Sequence, residues 1–413
     1  MANAHQVVIV GGGVGGSALA ASLAAAGVDV LLLEQTQVYE DRVRGEWIAP
    51  WGVAEVRRMG LLDTLRGAGG GHYVTRHVTY DESRTPQEAE AATLPLGMFA
   101  ADIPGPLTLG NPHHCQTLFD EAGRRGAKTL RGALVTKITP GADPSVTYLL
   151  GDVEHTVHCR LIVGADGRAS AVREACGIPL HQDRPHHWFA GMLVDQAPDW
   201  PEDLQAIGTE DDFGFLAFPQ GDGKVRLYGS YALEQKRRFA GPEGPRQFLD
   251  AFNVACSPIN ETLIAGTPAG PVLSFFNNDT WTDQPFAQGV VLIGDAAGWN
   301  DPIVGLGQSI TYRDARMVLE VLTGGADWSP AAFADYAAER AERLRRLRFC
   351  ANITSVLDAE FGPEARARRR RHFERTAADP SLGMHGFAVM AGPETLPPEV
   401  FTPEHRARVL ETA

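Results

Sequence analysis

The sequence predicts an α/β chain: a Rossmann-like dinucleotide-binding domain, a second domain on a mostly antiparallel β-sheet, and a helical C-terminal region. Three observations predict it. A β-branched run, a glycine cluster, an alanine-rich stretch and a second apolar run follow one another from Gln6 to Glu34. Two later apolar runs, Leu161 onward and Val290 to Ile293, end in Gly-Ala-Asp-Gly and Gly-Asp-Ala-Ala-Gly and pass into helix-forming sequence. Residues 179–287, by contrast, alternate apolar and polar positions as half-buried strands do.

The first segment is a β-α-β unit. Gly11, Gly13 and Gly16 fit G-x-G-x-x-G, in which the first glycine permits a tight turn, the second lets backbone approach a pyrophosphate and the third lets helix pack on strand. A helix starting near Val14 aims free N–H groups and its positive pole at phosphate charge. Glu34, 18 residues beyond Gly16, closes the second apolar run and can accept from ribose hydroxyls. A carboxylate there repels a 2′-phosphate.

In the second segment Asp166 and Gly167 precede a short helix carrying Arg168, Ser170 and Arg173, so Asp166 can also cap that helix. Runs such as DFGFLAFPQ, KVRLYGSYAL and GPVLSFFNN read as strands of the second sheet. Their aromatics, Phe213, Phe215, Phe218, Tyr228, Tyr231, Phe275 and Phe276, are expected in the core more than in a pocket. Trp328 to Ala413 reads as mainly helical, and the arginine-dense stretch 340–375 as a solvated helical face. The glycine-rich run at 67–72 reads as a loop.

Composition excludes several classes. A net charge of −14 over 413 residues disfavours nonspecific attraction to nucleic acid or acidic membranes. The apolar runs are too short for a membrane span, and the N-terminus enters its first strand almost at once, which leaves no signal peptide and points to the cytoplasm. Five scattered cysteines with no close pair argue against a disulfide frame or a zinc site and are expected as reduced, mostly buried thiols.

With all three segments in view, the chain resembles the FAD-dependent group A monooxygenases of p-hydroxybenzoate hydroxylase-like fold. The resemblance covers about residues 6–178 and 288–330. It places the Gly-Ala-Asp-Gly motif near the pyrophosphate, Asp295 on the ribityl chain, and Pro302, Gly305 and Gly307 in a P-x-x-G-x-G pattern whose N–H groups face the flavin pyrimidine edge. It matches a cofactor-contacting arginine to Arg44, with Arg42 the alternative, and puts Gln116 where the family has a second arginine. Carried over residue by residue, the FAD contacts are Gly11, Gly13, Val14, Gly15, Gly16, Glu34, Gln35, Arg44, Gln116, Val135, Asp166, Asp295, Pro302, Gly305, Gly307 and Gln308. The sequence departs from the family at Gly298, where many members carry histidine, and at Gln308, where asparagine is frequent. No catalytic side chain is assigned; Trp299, Asn300 and Pro302 are candidates near the flavin, His113, His114, His186 and His187 are possible proton handlers on surface or loops, and Asp314 is expected to be structural.

The implied organisation is an FAD domain at 1–75, 101–178 and 288–330, a substrate domain at 76–100 and 179–287, and a C-terminal region at 331–413. The implied activity is an NAD(P)H- and O2-dependent monooxygenase, hydroxylase or epoxidase, acting through a flavin C4a-hydroperoxide on an aromatic or polyketide-like small molecule, as a monomer or homodimer. Alternatives are a reductase of the geranylgeranyl reductase kind, whose loop can also begin GDAAG, and a flavin-dependent halogenase. The halogenase signature W-x-W-x-I-P is absent and the first lysine is Lys128. A flavin-binding protein that only sequesters a ligand is the reading from another class.

Overall fold

The computed structural model describes residues 4–43 and 45–411. Its first sheet runs, edge to edge, Phe286–Ala287, Val290–Leu292, Val153–Gly164, Ala4–Val10, Val30–Glu34 and Lys128–Arg131, with the hairpin partners Ala133–Thr139 and Ser145–Leu150 folded off the long strand. Pairing among the four central strands is parallel, and where they lie side by side at Val7–Val10, Val30–Leu33, Leu161–Val163 and Val290–Leu292 they are buried on both faces, which is why those stretches read as Val, Ile and Leu. The helices Val14–Ala25, Asn111–Arg124 and Gly307–Gly324 pack against one another and supply one apolar layer of this core.

The second sheet is ordered Thr267–Pro268, His187–Asp195, Lys224–Tyr231, Phe213–Gly221, Leu204–Glu210, Arg76–Asp81 and Leu94–Pro95, with Leu273–Asn277 also on His187–Asp195. It is antiparallel except where Leu204–Glu210 lies parallel to Arg76–Asp81. Phe213, Phe239, Phe248 and Phe252 stack edge to face behind it, with centroids 5.1–6.2 Å apart. A short three-stranded sheet of Trp47–Ile48, Leu107–Thr108 and His72–Tyr73 stands beside it.

The C-terminal region is helical, as its periodicity predicts: Ala334–Asp358, Pro363–Ala378, Met384–Ala391 and Pro403–Leu410. The solvated-face reading of its arginines is overturned at three positions. Arg340, Arg343 and Arg369 are 1%, 3% and 2% exposed, because the long helix lies across the end of the first domain and the next helix reaches the second sheet. Arg340 Nε and Arg343 Nη2 meet the two oxygens of Asp314 at 2.9 and 2.7 Å, and Asp314 also accepts from Gly294 N–H at 2.9 Å. Arg340 further donates to the carbonyls of Ala297 and Gly298, at 2.9 and 3.0 Å. Burial alone would raise the Asp314 carboxyl, but the two guanidinium groups outweigh it and hold it below the usual range. Asp314 is thus the anchor of the Gly294–Gly298 turn, a structural part.

Candidate functional site

A single cavity of about 1210 Å³ runs from the glycine turn, between the two sheets, to the C-terminal helices. Its narrow arm is built by the β-α-β unit. Gly13 caps Val14–Ala25 with no side chain, and a Cβ placed there would meet nothing within 4 Å, so the helix opens into empty space with its first N–H groups free. Gly11 sits at φ +104°, and its Cβ would come within 2.4 Å of the Ala165 carbonyl oxygen. The turn can therefore pass against the end of the neighbouring strand only as glycine. Gly16 presses on the Gly11 carbonyl instead of facing the cavity, which seats the helix.

Glu34 is 7% exposed and accepts from Gly12 N–H at 2.7 Å and Thr36 N–H at 2.6 Å, so its carboxylate is held at the mouth of this arm. Gln35, Val135, Val14 and Gly15 line the same arm. Asp166 accepts from Ser170 Oγ (2.6 Å) and Val172 N–H (3.1 Å); it caps the short helix and lines the cavity at once. Burial raises its carboxyl against those hydrogen bonds. Asp295 lies opposite, with Arg168 Nε 3.3 Å away and the Arg168 guanidinium 5.0 Å above the Trp299 ring.

Pro302, Gly305 and Gly307 lead into the helix Gly307–Gly324, whose open end also faces the cavity; no atom lies within 4 Å of where a Gly307 Cβ would stand. Gln308 turns its amide to the Gly45 carbonyl and, at 3.2 Å, to His114 Nδ1, tying this helix to the 45–48 segment. Its Oε1 is buried without a partner. Gly298 explains its own departure from histidine. At φ +108°, a Cβ would stand 2.6 Å from both the Thr280 carbonyl oxygen and Trp281 Cα, so no side chain fits.

One expected contact falls elsewhere, and one is not described. Gln116 does not line the cavity; its amide donates to Asp120 at 2.7 Å and its oxygen accepts from Arg131 at 2.8 Å. Arg131 is stacked 4.2 Å over both Tyr39 and Phe119 and does not line the cavity either. Arg44 lies outside the described residues, while Arg42 lines the cavity.

The histidine expectation is corrected. His114 and His187 are fully buried, and burial lowers both to about 3, so each is a neutral core imidazole: His114 2.6 Å from Tyr312 OH, His187 3.0 Å from the Asn277 amide. His113 and His186 are exposed and away from the cavity. The histidines that line it are instead His77, His372 and His385, and His77 is joined through Gln205 to Trp47, which lies against Gly305. Trp47 Nε1 donates to Gln205 Oε1 (2.9 Å), Gln205 Nε2 lies 3.1 Å from His77 Nδ1, and His77 Nε2 lies 2.9 Å from Thr79 Oγ1. Burial lowers His77 to about 4 and keeps it neutral. The aromatic expectation divides: Phe215, Phe218, Tyr228 and Phe275 line the wide arm, Phe213 and Tyr231 are core, and Phe276 is exposed.

Residues 4–348 match the family model described as an FAD binding domain. The chain belongs to this family, that of the flavoprotein monooxygenases. Its relatives include the menaquinone reductase of Mycolicibacterium smegmatis, 25% identical over 388 residues covering 87% of each chain, and the 6-hydroxynicotinate 3-monooxygenase of Bordetella bronchiseptica, 26% identical over 377 residues, 87% of this chain and 94% of that one. Among solved structures, the p-nitrophenol 4-monooxygenase of Pseudomonas putida superposes with a TM-score of 0.78 over 96% of this chain and 97% of that one; at 20% identity it speaks to the fold.

FAD is the cofactor, and the narrow arm fits it. Two helix N-termini capped by glycine or backbone open toward it, Gly13 and Gly307 leave their Cβ positions empty, and Gln308 Oε1 waits buried for a donor. Among the described residues no helix is long and apolar enough to cross a membrane and no cluster could hold a metal ion.

Trp299 and Asn300, on the loop before Pro302, are set by buried acids. Asp279 accepts from the Asn300 amide and from Asp301 N–H at 2.8 Å, and Trp299 N–H donates to Thr280 Oγ1 at 2.8 Å. Asp301 is 1% exposed with Oδ2 unpartnered; burial, reinforced by Asp279, raises it to about 7. A carboxyl whose folded value lies above its unfolded one favours the fold at low pH and loses that contribution as pH climbs from about 4 through about 7. Asp301→Asn should therefore gain stability over the parent progressively from pH 5 to pH 8, by roughly 2–3 kcal/mol, read as a rising difference in melting temperature. A pH-independent difference would exclude this origin.

Proposed function

We propose that the protein uses NAD(P)H and O2 to insert one oxygen atom into an electron-rich aromatic or polyketide-like molecule bound in the wide arm of the cavity. The observation that carries the reading is the continuity of that cavity: a dinucleotide arm opens directly into a chamber walled by Phe215, Phe218, Tyr228 and Phe275. FAD, when bound, supplies hydride acceptance and oxygen activation. The aromatic wall excludes water and stacks a planar substrate. The Trp47–Gln205–His77–Thr79 chain lines the chamber with polar groups that can orient polar substituents of a substrate, with His77 held neutral by burial. The positive pole of Gly307–Gly324 favours negative charge next to it. No side chain is assigned as a catalytic acid or base. We place the protein in the cytoplasm, as a monomer or homodimer.

A second reading, a flavin-dependent reductase, is supported by the menaquinone reductase relative and by the histidine-free Gly298 turn. Product mass separates the two. Incubation with NADH, oxygen and a panel of multi-ring aromatics is expected to yield a product heavier by one oxygen atom; a product heavier by two hydrogens would replace the first reading with the second.

A further inference from the structure

The wide arm ends against the C-terminal helices, and its far wall holds a carboxyl group that the fold gives no reason to keep. Asp358 is the last residue of the helix Ala334–Asp358, so its charge sits at the negative pole. It lines the cavity, and burial together with Asp81 raises it to about 7 although Arg369 opposes this. Among the described residues no donor hydrogen-bonds its carboxyl group and no cation pairs with it. Arg369, on the same wall, is committed: its Nε meets Asp81 at 2.6 Å, its Nη2 meets Glu82 at 2.7 Å, and its Nη1 reaches the Glu360 carbonyl at 3.0 Å. Three unfavourable terms, burial, the helix pole and a neighbouring acid, thus fall on one side chain, opposed only by Arg369, whose hydrogen bonds go elsewhere.

A second observation lies on the same wall. His385 is 7% exposed, lines the cavity and has Nδ1 buried with no hydrogen-bond partner; burial lowers it to about 3, so it is neutral and can accept or donate. Phe99 and Phe387, in edge-to-face contact at 4.9 Å, complete the wall with apolar surface.

The backbone fixes how far this wall stands from the flavin end. Gln205, bonded to Trp47 beside Gly305, and Thr209, whose Oγ1 donates to the Asp358 carbonyl at 3.2 Å, both line the cavity from the strand Leu204–Glu210. Four residues apart, they share a face and stand ~13 Å apart. A single aromatic ring cannot touch both ends.

We propose that Asp358, with His385, forms a terminal subsite that selects extended substrates of about three fused rings carrying a neutral hydrogen-bond donor, a phenolic hydroxyl or aromatic amine, at the end far from the flavin. The proposal rests on the reading of the wide arm as a substrate chamber, and names the substrate class it takes. Arg369 stays paired with Asp81 and Glu82, so the acceptor facing the chamber is the Asp358 carboxylate.

The test is binding to the oxidised, FAD-loaded protein without NAD(P)H, followed as perturbation of the flavin spectrum at pH 8. The probes are 2-aminoanthracene and its near-isostere 2-methylanthracene. A hydrogen bond to a charged acceptor predicts about ten- to hundredfold tighter binding of the amine by the parent. Asp358→Leu should abolish that preference, Asp358→Asn should retain part of it, and both should melt higher than the parent at unchanged FAD content, because an unpartnered buried carboxylate has been removed. A merely structural aspartate would melt lower when replaced and leave the preference intact. Equal binding of the two probes, a preference that survives in Asp358→Leu, or binding of neither probe overturns the subsite. Turnover is not involved, so a selective subsite with no oxygenated product would overturn the monooxygenase reading while leaving the subsite standing.

Discussion

Asp314→Asn is expected to cost about 3–5 kcal/mol of stability and to release FAD on purification. The substitution keeps the shape and an acceptor for Gly294 N–H but removes the only full negative charge between Arg340 and Arg343, which are 1% and 3% exposed. Burying guanidinium groups without a counter-charge costs more than the lost attraction, because neither can return to water without moving the long helix. Arg343 retains Glu339, at 3.0 Å, so Arg340 carries most of the penalty. Arg340 also holds the carbonyls of Ala297 and Gly298, so its displacement frees the turn that bears Asp295. The check is a denaturant unfolding curve alongside flavin content per chain. An unchanged midpoint would show the pair to be dispensable.

Gly11→Ala should fold with little bound FAD. A residue other than glycine at φ +104° costs about 1–3 kcal/mol, and here the added methyl would also stand 2.4 Å from the backbone oxygen of Ala165, which cannot rotate away. Relief requires parting the strands Ala4–Val10 and Val153–Gly164 at the point where Ala165 N–H bonds the Val10 carbonyl, at 2.8 Å. That shifts the free N–H groups of the first helix away from the phosphates. A combined penalty of about 3 kcal/mol corresponds to a loss on the order of a hundredfold in affinity, read by flavin titration of the apoprotein. Near-parental affinity would show that the turn adapts. Gly13, with open space at its Cβ, should tolerate alanine in the fold, and any loss there would report on the cofactor alone.

The parts legible in the sequence are those whose physics is local. A tight turn, a helix entry and an acid at the end of a strand are fixed by neighbours within a few residues, and Gly11, Glu34, Asp166, Asp295 and Gly305 all stand along the cavity arm. Alternation in 179–287 gave the antiparallel strands for the same reason. What the sequence concealed depends on which element is laid over which. The charge period of 340–375 tells which arginines share a face, and nothing about the acids Asp314, Asp81 and Glu82 that meet three of them from far along the chain. His114 and His187 look like loop histidines until Tyr312 and Asn277 are packed on them. His77 was hidden because its partners, Gln205 and Thr79, come from strands that become neighbours only in the parallel pairing of Arg76–Asp81 with Leu204–Glu210. The far wall of the chamber has no sequence signature at all.

That wall has a consequence for how such enzymes diversify. The family match ends at residue 348, whereas Asp358, His385 and Phe387 all follow it. The aromatic wall of the chamber thus lies within the stretch shared with the family, whereas its far wall is carried on a separable stretch beyond it. Recombination beyond the middle of the long helix could graft a new appetite onto an unaltered redox engine, and laboratory chimeras joined there offer a direct route to altered scope.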